Sequence, residues 1–416
     1  MKILIVNRNY FVTGGPEKYM FSLMENMPEH EFMPFCVNFD QNIETPYSKY
    51  FLEPPGGSGN VYFNDFQMSF FKKSCFALNM VYSFSARNKL YAMIKDVQPD
   101  IALFLNGVYF TDSIIDACRK HNVPIIWRLS DFHKICANYL LFRDGKVCDL
   151  CLEKGLFEII RNRCGGYQSS LGVSLVKYAG MKLSQLRNIY DYISYFIVPS
   201  SFSRKKMIQG GFPQDKIIHI PTFINIKQKD LLSHPGNANI LYVGRLSPEK
   251  GVDVLIKAFG QMKNKNAALT IAGGIKSDYA ETLISSIPAT LKSRIKFLGF
   301  KNQKEISELF SKCSMFIVPS VWYENQPNVV LEGMAYAKPA IVSRLGSLVE
   351  MVKHGSTGYH FEVGNSDDLA GKMDELIENS DVAVEMGKNA FEYVRAYHSK
   401  EKHIASINDL FNKCRK

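Results

Sequence analysis

Residues 315–339 read MFIVPSVWYENQPNVVLEGMAYAKP, and this stretch predicts a strand, a loop and a helix in that order. Met315–Val318 is a short apolar run of the kind that forms a buried strand. Pro327 suits the first turn of a helix, where a missing N–H costs nothing. Glu324 then lies in the loop at the carboxyl end of a parallel strand, which is where ligands bind in open α/β sheets.

Similar units flank this one on both sides. Short apolar runs alternate with helical patterns along the whole chain, which predicts parallel sheets built from strand–helix–strand units. The pentapeptide FIVPS at Phe196–Ser200 recurs at Phe316–Ser320. This repeat is consistent with two similar α/β domains in tandem.

The domain boundaries follow from where the alternation stops. Residues 222–239 show no periodicity and look like a linker between domains. We predict an N-terminal domain of residues 1–222, a linker of residues 223–238, a second domain of residues 239–395 and a final helix of residues 396–416. The final segment has apolar residues at helical spacing, so one of its faces should be buried.

Two carboxylates mark the quoted stretch. Glu324 is in the loop and Glu332 is more than one turn into the helix, so together they can grip two hydroxylated parts of one ligand. The backbone N–H groups of Asn325–Val329 form a helix N-terminus that can hold an anion or a polar oxygen. Alternatively, Glu324 is only an acidic residue favoured by the helix dipole and Glu332 is a surface side chain. The spacing leaves both interpretations open.

A second segment, Val243–Gly251, follows the first strand of the second half and reads VGRLSPEKG. Gly244 permits a tight backbone passage. Arg245 offers a planar fork for phosphate oxygens, and Lys250 adds a second positive charge. The pair looks like a diphosphate clamp, although a basic loop at a helix start is the plainer alternative. The order of residues is not that of a P-loop.

Two segments of the N-terminal half carry weaker signals. Gly14 and Gly15 precede a helix and let a ligand approach the backbone. Asp131 and His133 follow a predicted strand, so they also lie at a carboxyl end, where either can handle a proton. A single histidine near a cleft is more often structural.

Composition narrows the class of protein. The chain has 416 residues, 46% of them hydrophobic and 22% charged, which suits two globular domains and excludes a disordered or low-complexity protein. The net charge of +10 favours anionic ligands such as nucleotides, nucleic acid or anionic lipid. No block of like charge is long enough for a nucleic-acid-binding arm. The first residues, MKILIVNR, read as a buried strand and not as a signal peptide, so we expect a cytoplasmic protein.

Four of the nine cysteines lie close together in the sequence. They are Cys136, Cys148, Cys151 and Cys164, with a Cys-x-x-Cys at the centre. Reduced thiolates at this spacing can close a tetrahedral zinc site, so we predict a structural zinc ion. The alternative is four unrelated buried thiols.

The segment Phe66–Ile94 is rich in Phe, Tyr and Met, with Lys and Arg between them. As a helix or helix pair it can lie at an anionic membrane surface. The alternative is an ordinary domain helix with an apolar core face.

Taken together, these motifs resemble a GT-B glycosyltransferase of the retaining family 4 type (glycosyl transferases group 1). The resemblance rests on Glu324, Pro327 and Glu332 with the following GMAYAKP, on Gly244–Gly251, and on Gly14–Glu17. The motifs occur in the family's order, and the resemblance covers nearly the whole chain. It implies two Rossmann-like domains that face each other across a cleft, with the last helix returning to the first domain.

The resemblance also implies roles for the residues. Arg245 and Lys250 would bind the diphosphate of a nucleotide-sugar, and Gly15 would border the donor phosphates and the acceptor. Glu332 would bind the ribose, and Phe300 would lie near the base. Sugar hydroxyls would be held by Glu324 and by the segment of Asn325, Gln326, Pro327, Asn328 and Val329. The family retains the anomeric configuration and needs no catalytic metal.

Two positions depart from the family's pattern. The first hallmark Glu is often followed by Gly, where this chain has Asn325. Many members carry His immediately before the Asp near the N-domain strand end, where this chain has Ser130. The second departure puts a general base at that position in doubt, and Asp131 becomes the substitute candidate.

We therefore expect a hexosyltransferase that moves a sugar from a UDP-, GDP- or ADP-sugar to a hydroxyl of a glycan or lipid-linked saccharide. The basic, aromatic N-terminal segment favours a lipid-linked acceptor for a cell-surface polysaccharide such as lipopolysaccharide or capsule, and a peripheral location on the inner face of the membrane. The alternatives are a GT-B epimerase, a non-catalytic sugar-nucleotide-binding protein and a nucleic-acid-binding protein.

Overall fold

A computed structural model describes residues 1–54, 70–107, 109–164, 170–225 and 238–415. These residues form two α/β lobes, each built on one parallel six-stranded sheet. We call them the N-lobe (residues 1–225 together with the final helix) and the C-lobe (residues 238–397). Most of the predicted linker, residues 226–237, lies outside the described residues.

The sheet of the N-lobe contains only parallel strand pairs. Its strand order is β2-β1-β3-β4-β7-β8, and β5 and β6, of two residues each, form a separate antiparallel pair. The strands are β1 (Lys2–Val6), β2 (Glu31–Phe35), β3 (Ile101–Phe104), β4 (Ile125–Arg128), β5 (Phe142–Arg143), β6 (Lys146–Val147), β7 (Ile193–Val198) and β8 (Ile217–His219). The helices are α1 (Gly15–Asn26), α2 (Phe70–Val81), α3 (Phe84–Val97), α4 (Ser113–Lys120), α5 (Leu150–Lys154), α6 (Glu158–Arg161), α7 (Leu171–Leu186) and α8 (Ser201–Gln209).

The C-lobe sheet is ordered β11-β10-β9-β12-β13-β14, which is the Rossmann order 3-2-1-4-5-6. Its strands are β9 (Asn239–Val243), β10 (Ala268–Ala272), β11 (Ile295–Phe297), β12 (Met315–Val318), β13 (Ala340–Ser343) and β14 (Gly358–Phe361). The helices are α9 (Val252–Gln261), α10 (Asp278–Ser285), α11 (Ala289–Lys292), α12 (Gln303–Lys312), α13 (Asn328–Ala335), α14 (Leu348–Met351), α15 (Ser366–Glu378) and α16 (Ser380–Tyr397).

Each sheet is covered on both faces by a hydrophobic layer, as parallel sheets require. One layer of the N-lobe is completed from the far end of the chain. Helix α17 (Lys400–Arg415) contributes Leu410 and Phe411 to the cluster that contains Ile3 and Ile5 of β1. The predicted return of the last helix to the first domain is thereby confirmed.

The aromatic segment of the N-lobe divides into two helices. In α3, Leu90, Met93 and Ile94 are buried, and Lys89 donates a hydrogen bond to the carbonyl of Phe51. This part is therefore an ordinary domain helix with a core face. Residues 66–69 lie outside the described residues. None of the helices in the described part of the chain is both long and apolar enough to cross a membrane.

Candidate functional site

The C-lobe sheet reverses its strand order between β9 and β12, and the loops that leave these two strands carry both of the predicted ligand motifs. Such a reversal opens a crevice at the carboxyl ends of the strands. The two loops touch, because the Val321 amide donates to the Glu249 carbonyl at 3.0 Å. Gly251 has φ +64°, and a Cβ there would lie 2.1 Å from the Pro319 carbonyl oxygen. Only glycine fits this contact.

Glu324 and Lys250 form a buried ion pair between these two loops. Lys250 Nζ lies 2.6 Å from Glu324 Oε1, and the hydroxyl of Ser320 donates to the same oxygen at 2.7 Å. The side chains of Glu324 and Lys250 are only 7% and 17% exposed. Burial alone would raise the pKa of Glu324, but the charge and hydrogen bond of Lys250 hold it below its ordinary value. The carboxylate is therefore ionised at neutral pH.

Arg245 lies at the open edge of the crevice. Its side chain is 70% exposed and makes a 3.3 Å contact with Glu249. Burial raises the pKa of Tyr139 in the N-lobe, whereas the charge of Arg245 lowers it and that of Asp131 raises it. Tyr139 of the N-lobe thus lies within electrostatic range of Arg245, which belongs to the C-lobe.

Helix α13 begins at Asn328, so Pro327, which was predicted in the first turn, is the N-cap residue. Pro327 precedes the helix with φ −71° and ψ 119°, because an extended residue is needed to turn the loop into the helix. Pro327 has no N–H, so, unlike the other residues of Asn325–Val329, it cannot donate a hydrogen bond to an anion. It can only shape the loop. Within the described residues, the amides of Asn325, Gln326, Asn328 and Val329 donate to no protein acceptor. These amides are free to bind a ligand.

The side chains of Asn325 and Gln326 bind the N-lobe. Asn325 Nδ2 donates to the Leu129 carbonyl at 3.0 Å, and the hydroxyl of Ser203 donates to Asn325 Oδ1. Gln326 Oε1 accepts from the Thr222 amide at 2.7 Å. These two side chains hold the lobes together, which the sequence did not indicate.

The glycine turn of the N-lobe closes the crevice from the opposite side. A Cβ on Gly15 would lie 3.6 Å from Asn328 Nδ2, so the turn faces the first residue of α13. Beside it is a cleft of about 330 Å³, lined by residues of both lobes that include Lys18 and Glu332. A space of this size falls in the range of small-molecule sites.

Glu332 lies on the wall of this cleft and accepts a hydrogen bond from Gln303 Nε2 at 3.3 Å. Lys18 Nζ reaches across from α1 to Gln303 Oε1 at 2.7 Å. Phe300 projects into solvent with 83% of its surface exposed, after Gly299 at φ +69°. An exposed aromatic ring at this edge can stack on a flat ligand group.

Asp131 lies on the N-lobe side of the cleft. Its carboxylate is hydrogen-bonded to the ring and the backbone N–H of His133. Burial raises the pKa of Asp131, but His133 and Lys134 hold it below its ordinary value. Asp131 is therefore ionised at neutral pH and can accept a proton or a hydrogen bond.

The four cysteines are neighbours in an insertion that contains β5, β6, α5 and α6. Burial, and then the neighbouring thiols of Cys136, Cys164 and Cys148, raise the pKa of Cys151 to about 12. Across the described ranges, no three His, Cys, Asp or Glu side chains are grouped so that they could hold a metal ion. The structural zinc ion stays a prediction.

Several residues of the site carry no signal in a single sequence. Ser320 and Ser347 hold Glu324 through its carboxylate and its carbonyl, respectively. The repeat of FIVPS marks Ser320 in the sequence but does not reveal its role. The equivalent residue of the other copy, Ser200, caps α8 instead. The backbone of Tyr139 is left-handed, with φ +57°, and half of the residue's surface is exposed. Neither property can be read from the sequence.

Comparison with known proteins now bears on the site. Residues 224–393 match the model of the family described as glycosyl transferases group 1. The chain is similar in sequence to glycosyltransferases and in fold to GT-B structures. Solved GT-B structures superpose over nearly its whole length. Anabaena HepE, in complex with UDP and glucose, has a TM-score of 0.68 at 18% identity and covers 99% of this chain and 100% of its own. Sucrose-phosphate synthase from Thermosynechococcus elongatus has a TM-score of 0.71 at 16% identity and covers 99% and 98%.

Curated relatives are similar over a shorter length. The uncharacterized glycosyltransferase MJ1607 of Methanocaldococcus jannaschii is 30% identical over an alignment of 253 residues that covers 56% of this chain and 62% of that protein. A second glycosyltransferase of the same organism, MJ1178, is 33% identical over 184 residues, or 44% and 50%. The matched regions thus span between half and two thirds of these relatives. The GT-B fold expected from the sequence motifs is confirmed.

Proposed function

We propose that the protein transfers a sugar, with retention of configuration, from a nucleotide-diphosphate sugar to a hydroxyl of a glycan or lipid-linked saccharide. The observation that carries this proposal is the Lys250–Glu324 ion pair, which joins the loop of Arg245 to the loop that leads into the free amides of α13. Cations and amides suit a diphosphate, and carboxylates suit sugar hydroxyls.

In this mechanism Arg245, Lys250 and the α13 amides stabilise the negative charge that develops on the departing diphosphate. Such preorganised electrostatic stabilisation is usually the largest contribution to catalysis. Lys250 is already held by Glu324, so both groups are in place before the donor arrives. Glu324 then holds hydroxyls of the transferred sugar, and Glu332 holds the ribose.

Asp131 is the proposed acceptor-side carboxylate. It is ionised, and its charge, like that of Arg245, acts on Tyr139. In this role it accepts the hydrogen bond, or the proton, of the attacking hydroxyl. Gly15 leaves room for the donor phosphates beside Asn328.

The donor is proposed to be a UDP-, GDP- or ADP-sugar, with Phe300 stacking near the base. HepE, which shares the fold, was crystallised with UDP and glucose, and this supports a nucleotide-sugar in the crevice. The test is thermal stabilisation by UDP, GDP and ADP, followed by turnover of the matching sugar donor. Saturable binding of one diphosphate supports the proposal. Binding of none, together with a salt-sensitive complex with DNA or RNA, would replace it with nucleic-acid binding.

The acceptor is proposed to be a lipid-linked intermediate of a cell-surface polysaccharide, reached at an anionic membrane. Helix α7 packs closely against α2. A Cβ added to Gly180 of α7 would lie 3.5 Å from the carbonyl oxygen of Met80 in α2. Leu175 and Leu186 of α7 and Leu78 of α2 are exposed, and α7 has two lysines and no acidic residue. Flotation with anionic liposomes tests this location, and a protein that stays at the bottom of the gradient contradicts it.

Metal analysis of the purified protein tests the predicted zinc ion. About one equivalent is expected, because folded structural sites bind zinc tightly, and less than about half an equivalent would count against it.

A further inference from the structure

The cysteine-bearing insertion, residues 136–164, has no role in the transfer chemistry proposed above. Its helix α5 buries none of its side chains, whereas Leu141 and Ile159 elsewhere in the insertion are buried. It does, however, place one charged residue at the boundary between the lobes. Asp149 lies between Cys148 and Cys151 and points toward α8 and the C-lobe.

Asp149 forms an ion pair with Lys206 of α8. The Nζ of Lys206 lies 2.6 Å from Asp149 Oδ2, and Lys206 is only 8% exposed. A lysine buried to this extent depends on its partner, because an unpaired ammonium group is costly away from water. The position of the Lys206 head is therefore set by Asp149.

Lys206 in turn supports a ring of the C-lobe. Its ammonium group lies 4.7 Å from the ring centre of Tyr323, within the range of a cation–π contact. The phenol of Tyr323 lies 3.4 Å from Asp149 Oδ2, and its ring packs on Phe202 of α8 at 4.8 Å. Tyr323 is thus held by one carboxylate, one cation and one aromatic ring, all from the N-lobe.

Tyr323 immediately precedes Glu324, so the same contacts fix the middle of the loop that carries the buried carboxylate. We infer that the insertion is a positioning device: Asp149 holds Lys206, Lys206 holds Tyr323, and the loop of residues 319–327 is thereby set so that Glu324 faces Lys250. The three residues act through Glu324 and touch no substrate. The catalytic meaning of this arrangement rests on the proposed function, but the arrangement itself does not.

Intrinsic fluorescence provides a test that needs no ligand. The chain has two tryptophans, of which Trp127 is fully buried and Trp322 is next to Tyr323. Acrylamide quenching therefore reports on Trp322. We expect Asp149→Asn and Lys206→Met each to raise the quenching constant about twofold or more, since a locally opened loop exposes its side chains. The double variant should add nothing further, and Lys206→Arg should restore the wild-type value in part.

The matched control is Asp144→Asn, the same change within the same insertion. Asp144 is 75% exposed and pairs only with Arg143 among its described neighbours, at 2.8 Å. Its quenching constant should equal that of the wild type. The inference is overturned if folded Asp149→Asn and Lys206→Met quench like the wild type, or if Asp144→Asn changes as much as they do. Should Asp149→Asn fail to fold, Lys206→Met decides the question alone.

A second measurement separates positioning from mere stabilisation. UDP, GDP and ADP are titrated by calorimetry, and hydrolysis of UDP-glucose, GDP-mannose and ADP-glucose is measured. In Asp149→Asn the diphosphate affinity should stay within about threefold, because Arg245 and Lys250 are intact, while turnover falls about tenfold, since a small misplacement of reacting groups is costly. A wild type that binds none of the three diphosphates would refute the proposed function, and quenching would still decide the inference.

Discussion

Replacing Glu324 by glutamine tests the centre of the site. Glutamine keeps the shape of the side chain, so its oxygen can still accept from Lys250 and Ser320, which now donate at 2.6 and 2.7 Å. What is lost is the charge on the acceptor. Hydrogen bonds to charged groups contribute about 1.5–3 kcal/mol and neutral ones about 0.5–1.5 kcal/mol, so two such bonds lose about 2 kcal/mol together.

A loss of about 2 kcal/mol in the free energy of unfolding lowers Tm by about 4–8 °C in a domain of about 150–250 residues, the size range of the C-lobe. Differential scanning fluorimetry or calorimetry measures the shift. Because the pKa of Glu324 is lowered in the folded state, its stabilisation is present above the ordinary value of 4.5 and is lost as the pH falls through the folded pKa. The difference in Tm between wild type and variant should therefore shrink in acid.

The same variant separates catalysis from binding. Turnover of the donor should fall by about 10²–10³-fold, the usual cost of removing one preorganised group. Affinity for the nucleoside diphosphate should stay equal or rise, because Lys250 loses the carboxylate that competes for it. Glu332→Gln is the matched control, and its Tm should stay near that of the wild type, since Glu332 meets only the 3.3 Å hydrogen bond of Gln303 among described residues. A Glu324→Gln protein with wild-type Tm and turnover would refute the reasoning.

Three further predictions concern other parts of the molecule. Arg245→Ala should weaken nucleoside diphosphate binding by about 10- to 100-fold in a calorimetric titration, the value of one charged hydrogen bond, and it should leave Tm unchanged because the side chain is 70% exposed. Burial lowers the pKa of His403 from 6.5 to about 4, so below pH 6.5 the unfolded chain binds a proton that the folded chain excludes. The free energy of unfolding should therefore fall by about 3 kcal/mol from pH 7 to pH 4. His403→Asn should flatten this pH profile in thermal melts, and an unchanged profile would contradict the assignment. Gly251→Ala should lower Tm clearly more than Gly364→Ala, since both have positive φ but only Gly251 would place a Cβ 2.1 Å from a carbonyl oxygen; equal shifts would contradict it.

The sequence predicted the strands best where they are central and uniformly apolar. Met315–Val318, at the centre of the C-lobe sheet, has the predicted bounds. Two edge strands, β2 (Glu31–Phe35) and β14 (Gly358–Phe361), were not predicted. Pro34 and Gly358 weaken their pattern, and a sheet edge tolerates both residues because part of its backbone has no strand partner.

The candidate site was predicted residue by residue but not contact by contact. Lys250 and Glu324 were each assigned to a ligand from their local motifs, and the structure pairs them across 74 positions of sequence. Asn325 was placed among donor-binding residues, yet its side chain binds Leu129 and Ser203 of the other lobe. Such contacts depend on how two lobes dock, and no local pattern encodes them.

Helix α17 has a consequence for how the molecule is made. Leu410 and Phe411 complete the layer that covers Ile3 and Ile5, so β1 leaves the ribosome long before the helix that closes its surface. Until residues 400–415 emerge, the nascent N-lobe displays an apolar groove that chaperones can bind. The C-lobe, whose strands and helices lie within residues 239–397, can finish folding first.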